Sequence, residues 1–303
     1  MPSISSQVMS ASYRDAQTIT LPDGDACFVR RGVGAPVILL HGAPLSLLTW
    51  RRNIPELSTS LDVIALDMKG FGRSSKVAGL YSPEAHVQFV LQLMEKLRLS
   101  RVSIAGSSYG CAVALALAKK CPEKVDRLVL INSVGYPGGR HSIEQLLRIN
   151  VLRKLLEPTL RSDMFGRRIF AAGLRRSYKD RSRATPDLVD SYFQLLRSES
   201  GERSFLATLE EFDESRLAAI IPAIPHETLI IWGAKDHILP VDNAQRFKRE
   251  MQHAQLEILA DCGHLPHEED PDRVNSLIAR FLRAPTTVQG ERPIRLSSVA
   301  GIA

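Results

Sequence analysis

Short runs of aliphatic residues alternate with helical patterns through the first half of the chain and again near its end. Each run is four to seven residues long and rich in valine, isoleucine and leucine. Continuous apolar runs of this length are typical of strands buried on both faces of a parallel sheet. The predicted strands are 36–40, 61–66, 102–105, 125–131, 228–232 and 256–259.

Three segments outside these runs have the features of helices. Ser82 and Pro83 are residue types of a helix N-cap and first turn, and apolar residues follow at helical spacing. Asp270 and Pro271 repeat that arrangement ahead of a last amphipathic helix. Residues 111–118 are apolar all round, as is typical of a helix buried against a sheet. The alternation predicts an α/β fold with a mostly parallel, twisted sheet flanked by helices.

The pattern changes in the middle of the chain. Residues 136–222 are arginine-rich and helical in character with few strand signals, and the strand pattern resumes after them. We therefore predict a core formed by 1–135 and 223–284, with 136–222 inserted into it as a separate helical unit. Residues 285–303 lack periodicity and are predicted to form a mobile tail.

The net charge of +6 is unevenly distributed along the 303 residues. Between 136 and 183, lysine and arginine outnumber aspartate and glutamate by 12 to 4, whereas acidic residues predominate from 184 to 222. Adjoining segments of opposite sign favour internal pairing across helices, so we expect no nucleic-acid partner. The basic segment also leaves open a small-molecule substrate that carries a carboxylate or a phosphate.

No targeting or membrane-spanning segment is predicted. Residues 1–14 are serine-rich, and no run of about 18 apolar residues occurs, so we expect a cytoplasmic protein without membrane contact. The cysteines lack the spacing of metal or redox pairs, so we expect reduced thiols, no metal and no cofactor. The oligomeric state stays open, a homo-oligomer included. The four cysteines are Cys27, Cys111, Cys121 and Cys262.

Residues 106–110 read Gly-Ser-Ser-Tyr-Gly, between a predicted strand and the apolar helix that follows. The pattern G-x-S-x-G in this context is that of a nucleophile elbow, in which a serine lies on a tight strand-to-helix turn. Small residues two positions to either side let the strand and the helix pass closely. Ser108 has glycine at both offsets and is therefore the candidate nucleophile.

A base and an acid are expected on loops at the carboxyl ends of later strands, where open α/β sheets place their ligand sites. The fifth predicted strand is followed by Gly-Ala-Lys-Asp, which makes Asp236 the candidate acid. The loop after the fourth strand offers Asn132 instead of a carboxylate. Two histidines follow the sixth strand. Gly263 gives the loop freedom to turn His264 inward as the candidate base, whereas His267 is expected to cap a helix or face solvent.

These residue types suit nucleophilic catalysis. A serine hydroxyl is a weak nucleophile until a hydrogen-bonded imidazole removes its proton, and a carboxylate fixes the imidazole tautomer and stabilises the imidazolium. The developing oxyanion needs N–H donors. In the elbow architecture these come from the residue after the nucleophile and from the loop after an early strand, which makes the backbones of Tyr109 and Ala43 the candidates.

Five motifs in order resemble those of serine-dependent α/β-hydrolases over residues 20 to 284. The chain order of serine, acid and histidine is also the one found in that superfamily. The resemblance implies an α/β-hydrolase fold in which 136–222 is a helical cap over the active site. The motifs are His41-Gly42-Ala43-Pro44 with Trp50, Asp67-Met68-Lys69-Gly70-Phe71-Gly72-Arg73-Ser74, Gly106-Ser107-Ser108-Tyr109-Gly110, Trp232-Gly233-Ala234-Lys235-Asp236, and Gly263-His264-Leu265-Pro266-His267-Glu268.

Two details of the resemblance qualify it. The motif that begins at His41 also resembles haloalkane dehalogenases and epoxide hydrolases, but those use an aspartate nucleophile, and Ser108 argues against both. Cys111 stands where many relatives carry glycine, and we interpret it as a small helix residue.

Three kinds of function are compatible with these residues. The first is hydrolysis of an ester, thioester or lactone through an acyl-Ser108 intermediate. The second resembles enzymes of aromatic ring cleavage and hydrolyses a carbon–carbon bond of a diketone-type substrate, whose carboxylate the basic part of the cap receives. The third is a non-hydrolytic lyase, cyclase or ligand receptor, because a fold does not fix a function.

Overall fold

The structure of the chain, a computed structural model, describes residues 13–137, 157–198 and 201–285. A single eight-stranded sheet runs through these ranges, with the strands in the order β1-β2-β4-β3-β5-β6-β7-β8. The strands are β1 (Ala16–Leu21), β2 (Gly24–Arg31), β3 (Ala35–Leu40), β4 (Leu61–Leu66), β5 (Val102–Ser107), β6 (Val125–Ile131), β7 (Thr228–Gly233) and β8 (Ala254–Leu259).

The sheet is mostly parallel, as the apolar runs predict. β2 pairs antiparallel with β1 and β4, and every pairing from β4 to β8 is parallel. All six predicted strands are confirmed, as β3 to β8, with bounds that differ by two residues at most. The hairpin of β1 and β2 is not among the predicted strands. β1 is an edge strand that is largely exposed, so it has no continuous apolar run to reveal it.

Helices cover both faces of this sheet. Ser82 and Asp270 cap two of them as predicted, because their side chains accept hydrogen bonds from the N–H groups of Ala85 and Arg273. Among the helices of the described ranges are α1 (Ile54–Leu57), α2 (Pro83–Lys96), α3 (Tyr109–Lys120), α4 (Phe165–Ser177), α5 (Pro186–Arg197), α6 (Gly201–Glu211), α7 (Glu214–Ile220), α8 (Asp242–Glu250), α9 (Pro266–Glu269) and α10 (Pro271–Arg283).

The sheet separates two hydrophobic clusters, and alternate residues of its strands face opposite clusters. In β3, Val37 and Leu39 pack into a cluster with residues of α1 and α10. Ile38 and Leu40 pack into the other cluster, with residues of α2, α3 and α8. A strand buried on both faces has no polar face, which explains the unbroken apolar runs of the sequence.

The helices α4 to α7, called the inserted helices below, lie between β6 and β7. Residues 138–156 and 199–200 of the predicted cap and residues 286–303 of the predicted tail lie outside the described ranges. The division into a core and a cap therefore stays a prediction. Within the described ranges, no helix combines the length and the apolar character needed to span a membrane.

Ion pairs join the oppositely charged stretches of the middle segment, as their adjacency predicts. Arg167 contacts Asp190 with an Nε–Oδ1 distance of 2.5 Å. Two further pairs run between the same stretches, Arg197 with Asp163 and Arg203 with Glu157. Three arginines of the middle segment are thus paired between the two stretches, and one of them, Arg167, belongs to the basic stretch.

Candidate active site

Ser108 makes the turn between β5 and α3 by itself. β5 ends at Ser107 and α3 begins at Tyr109, and Ser108 between them has φ 51° and ψ −114°. A non-glycine residue at positive φ is strained and persists only where its surroundings hold it. Strain of this kind is the expected geometry of a nucleophile elbow.

The two glycines of the pentapeptide are required by a close approach of backbones. A Cβ on Gly106 would lie 2.7 Å from the nitrogen of Cys111, at the start of the following helix. A Cβ on Gly110 would lie 2.4 Å from the carbonyl oxygen of Leu40, at the end of β3. Any side chain at either position would push the helix away from the sheet and change the turn that holds the serine.

The loop after β3 lies directly against this turn. The position of a Cβ on Gly42 is 3.1 Å from Cβ of Ser108 and 3.7 Å from its Oγ. Ala43 follows Gly42 in that loop, and Tyr109 is the first residue of α3, whose N–H has no carbonyl partner within the helix. Both candidate donors of an oxyanion hole therefore belong to segments that adjoin Ser108.

His264 and Asp236 are directly bonded. Nδ1 of His264 donates to Oδ2 of Asp236 at 2.8 Å, and Oδ1 of the same carboxylate accepts from the backbone N–H groups of Ile238 and Leu239. Burial raises the pKa of Asp236, but the charge and hydrogen bond of His264 and the other donors outweigh burial and hold it below its usual value. The carboxylate is thus ionised, and Nε2 of His264 is left to accept a proton.

Asn132 supports the carboxylate from the end of β6. Its Nδ2 donates to Oδ2 of Asp236 at 2.6 Å, and its Oδ1 accepts from the N–H of Gly233 at 3.2 Å. Asn132 has φ 43°, a conformation that asparagine tolerates better than most residues. In the sequence, Asn132 is noticed only because the loop after the fourth predicted strand has no carboxylate at this point, and no role for its side chain is predicted. Its contact with Asp236 depends on the spatial adjacency of β6 and β7, which no local pattern reveals.

The backbone around His264 is anchored to the inserted helices. The N–H of His264 donates to the carbonyl oxygen of Ser177, the last residue of α4, at 2.7 Å. Glu269 bridges the same two segments, since its Oε1 accepts from the N–H of Gly263 at 2.7 Å and its Oε2 from that of Lys179 at 2.9 Å. The position of the histidine loop is thereby coupled to the end of α4.

The expectation for His267 is wrong. Its side chain is fully buried, its Nε2 lies 2.8 Å from Oγ1 of Thr49, and its ring packs on Trp50 with centroids 4.5 Å apart. Burial lowers the pKa of His267 to about 4, so the ring is neutral. The acidic residues that follow it suggest a surface segment, but α9 turns them inward, where specific partners compensate for their burial.

Glu268 is the centre of a buried polar cluster. Its carboxylate accepts from Thr49 Oγ1 at 2.6 Å and pairs with Arg51 at 2.6 Å. It also accepts from the hydroxyls of Tyr178 and Tyr192, at 2.8 and 2.7 Å. The two tyrosines belong to the inserted segment and the other two partners to the segment between β3 and β4, so one carboxylate ties these parts together.

A cavity of about 630 Å³ opens at the carboxyl ends of the strands, between them and the inserted helices. Ser108 and His264 line it, together with Ala43 and Tyr109. Asp236 lies behind His264. The structure thus brings the sequence candidates to one place, where their catalytic roles stay predictions. Apolar side chains form most of the wall, among them Leu45, Val134, Leu160, Ile169, Phe170, Leu174, Leu196, Phe205, Leu209 and Phe212.

Charged side chains are few in this wall. Arg176 and Glu214 are the acidic or basic residues among its described members, apart from His264. Arg176 is exposed, and its Nε donates to the carbonyl oxygen of His237 at 3.0 Å. The sequence leaves open a substrate with a carboxylate or phosphate. Within the described lining, one guanidinium, that of Arg176, is placed to contact such a group.

Other chemistry-bearing groups lie apart from this cavity. Within the described ranges, no group of three or more histidine, cysteine, aspartate or glutamate side chains is arranged to hold a metal ion. The Cys111 side chain is fully buried, burial raises its pKa to about 12, and its Sγ lies 3.6 Å from the carbonyl oxygen of Ile131. This agrees with its interpretation as a small helix residue.

Comparison with known proteins points to one family. Residues 35–271 match the family described as alpha/beta hydrolase fold. The chain is 30% identical over 267 residues to a 2-hydroxymuconate semialdehyde hydrolase of Pseudomonas sp. (strain CF600), which covers 83% of this chain and 88% of the relative.

Solved structures agree in fold. A meta-cleavage product hydrolase from Pseudomonas fluorescens IP01 is 27% identical with a TM-score of 0.75, covering 88% of this chain and 97% of that one. A thermophilic esterase from Thermogutta terrifontis is 26% identical with a TM-score of 0.74, covering 88% of this chain and 98% of that one. The family match spans most of the chain and includes the strained Ser108, the loop after β3 and the loop that carries His264. The chain therefore belongs to the α/β-hydrolase fold family.

Proposed function

We propose that the chain is a serine hydrolase that cleaves an ester, thioester or lactone of a small organic substrate through an acyl-Ser108 intermediate. The observation that carries the proposal is the bond of His264 to Asp236, together with the fact that His264 and the strained Ser108 line one apolar cavity. A histidine oriented by an ionised carboxylate is what a serine needs in order to act as a nucleophile.

In the proposed reaction, Oγ of Ser108 attacks the substrate carbonyl while Nε2 of His264 takes the hydroxyl proton. The negative charge that develops on the carbonyl oxygen is met by the N–H groups of Ala43 and Tyr109, each worth roughly 2.7 to 4 kcal/mol in comparable sites. The imidazolium then gives its proton to the leaving oxygen or sulfur. Water attacks the acyl-serine with His264 again as base, which releases the acid and restores Ser108.

The walls of the cavity support a small and largely apolar substrate. A volume of about 630 Å³ is in the range of pockets for small molecules, and its lining is dominated by aliphatic and aromatic side chains. Such walls exclude water and strengthen the hydrogen bonds to the developing oxyanion. We therefore propose that the inserted helices act as a cap. The part of the substrate that they cover is a hydrocarbon-rich acyl or alcohol group.

Hydrolysis of a carbon–carbon bond is the second candidate. It is favoured by the names of two similar proteins, a 2-hydroxymuconate semialdehyde hydrolase and a meta-cleavage product hydrolase. For this chain, we propose a diketone-type substrate as that alternative, with Arg176 as the group in the described lining that would meet a substrate carboxylate.

The test of the first proposal is hydrolysis of p-nitrophenyl acetate and butyrate, together with labelling by a fluorophosphonate probe. Ser108→Ala should abolish both. Asp236→Asn should lower kcat by up to about 10⁴-fold while the protein stays folded. If the unchanged chain neither hydrolyses these esters nor takes the label, the acyl-serine proposal is wrong. Label that persists in Ser108→Ala would show that another residue is the nucleophile.

A panel of lactones, thioesters and vinylogous diketones then separates the candidates, with Ser108→Ala as the blank. An ester hydrolase should turn over the first two classes with much higher kcat/KM than the diketones. The reverse order would favour carbon–carbon hydrolysis. Binding of any of these compounds without turnover would favour a ligand receptor, and turnover without net addition of water a lyase or cyclase.

A further inference from the structure

Gly173 lies inside α4, four residues before the helix ends, and its backbone is exposed. Apart from its two chain neighbours and the adjoining backbone of its own helix, no atom of the described residues lies within 4 Å of the place where its Cβ would stand. A glycine in a helix interior destabilises the helix relative to alanine. Gly166 of the same helix has a packing reason, because its Cβ would lie 2.0 Å from the carbonyl oxygen of Leu160. At Gly173, no close contact in the described surroundings requires a glycine.

Gly173 belongs to the wall of the candidate active site. Gly173 lines the same cavity as Ser108 and His264. Ser177, whose carbonyl oxygen accepts from the N–H of His264, follows one helical turn later, about 6 Å along the axis. One turn earlier, Ile169 contributes an apolar side chain to the wall. The missing side chain therefore widens the cavity close to the histidine loop.

We propose that Gly173 is a specificity-determining residue, whose missing side chain leaves room along α4 for a bulky apolar group of the substrate. The group is an aryl ring or a branched or long hydrocarbon chain, because Ile169, Phe170 and Leu174 give this part of the wall an apolar character. The proposal rests on the proposed function, in which the substrate carbonyl lies at Ser108.

The test compares Gly173→Leu and Gly173→Ala with a matched control, Ala172→Leu. Ala172 is the preceding residue of the helix, exposed, and outside the described lining of the cavity. In Gly173→Leu, kcat/KM for p-nitrophenyl octanoate and benzoate should fall about ten-fold or more, while that for p-nitrophenyl acetate changes less than about two-fold. Gly173→Ala should raise the Tm by about 2 °C with a small effect on kcat/KM.

Equal effects on all three esters in Gly173→Leu, or no effect on any, would overturn the proposal. The same selective loss in Ala172→Leu would also overturn it, because the cause would then be the helix and not the cavity.

Fluorophosphonate labelling of Ser108 distinguishes failure of the Gly173 proposal from failure of the proposed function. If no variant is labelled, affinity for anilinonaphthalene sulfonate, a dye with large aromatic rings and one sulfonate, replaces kcat/KM as the readout. If the dye binds more weakly to Gly173→Leu and to no other variant, the result supports the proposal that Gly173 leaves room in the cavity. Equal dye affinity in all variants overturns that proposal.

Discussion

Nδ2 of Asn132 donates to Oδ2 of Asp236 at 2.6 Å, the same oxygen that accepts from Nδ1 of His264. One carboxylate oxygen thus receives two donors from the segments that follow two different strands, β6 and β8, and Asn132 fixes its direction. The asparagine is in turn held by the N–H of Gly233. An acid that is oriented from behind keeps the imidazole in one orientation, which is the preorganisation that catalysis requires.

Removing this support should slow the reaction without unfolding the protein. Asn132→Gly introduces a residue that tolerates the positive φ and deletes three side-chain hydrogen bonds, to Asp236, to the carbonyl oxygen of Gly263 and from the N–H of Gly233. Because a hydrogen bond to a charged group is worth about 1.5 to 3 kcal/mol, we expect kcat to fall roughly ten-fold or more with little change in KM. Steady-state kinetics on a p-nitrophenyl ester measures both. An unchanged kcat would show that Asp236 needs no support from β6.

Glu269 should matter for activity although it lies outside the cavity lining. Glu269→Gln replaces one of the two acceptor oxygens that bridge Gly263 and Lys179 by an NH₂ group, which donates but cannot accept. We expect a several-fold lower kcat, because the loop that carries His264 loses one anchor. The matched control is Asp261→Asn, an exposed carboxylate paired with Nζ of Lys179, which should leave kcat unchanged. Equal losses in both variants would contradict the prediction.

The tyrosine hydroxyls around Glu268 should contribute measurably to stability. Tyr192→Phe keeps the ring and removes a donor to a fully buried carboxylate, so we expect the free energy of unfolding to fall by about 1.5 to 3 kcal/mol. Tyr136→Phe, whose hydroxyl donates to the partly exposed Glu250, should cost less than about 1 kcal/mol. Urea titrations followed by circular dichroism supply both values. Similar costs for the two variants would show that burial of the carboxylate does not matter.

Buried histidines should make the protein sensitive to mild acid. Burial lowers the pKa of His86 to about 3, so the folded protein keeps this ring neutral while the unfolded chain protonates it below about pH 6.5. Stability is therefore lost as the pH falls from about 6.5 towards 3, with a slope of about 1.4 kcal/mol per pH unit for one such group.

The variant His86→Phe tests this effect, since the ring packs between the aromatic rings of Phe71 and Tyr109. Between pH 7 and pH 5, the unchanged chain should lose about 2 kcal/mol more free energy of unfolding than the variant. Asp67, whose pKa burial raises to about 6, acts in the opposite direction, but it is present in both proteins and cancels. Equal pH dependence of the free energy of unfolding in the unchanged chain and the variant would mean that His86 is protonated as readily in the folded protein as in the unfolded chain.

Arg176 should affect anionic substrates selectively. In Arg176→Gln, we expect KM to rise several-fold for esters that carry a carboxylate and to stay within about two-fold for neutral esters, because a guanidinium is a strong carboxylate partner. Arg175→Gln is the matched control, an exposed neighbour outside the described lining. Equal changes for neutral and anionic esters would instead favour solvated helix faces as the role of these arginines.

The central sheet and the order of the candidate residues were predictable from the sequence, because each depends on a local pattern. Runs such as 36–40 are unbroken because both faces of the strand are buried, and the elbow is visible because close backbone approach demands glycine at 106 and 110. The exposed edge strand β1 has no such pattern and was not predicted.

Only the tertiary structure decided which side chains meet. His267 and Glu268 look like a surface segment in the sequence but are buried, since Thr49, Arg51 and two tyrosines from distant segments supply their partners. The contact of Asn132 with Asp236 and the open space at Gly173 likewise depend on how strands and helices are placed in three dimensions. A linear pattern records the burial of one residue on its own element, whereas a hydrogen bond or a cavity is a property of several elements together.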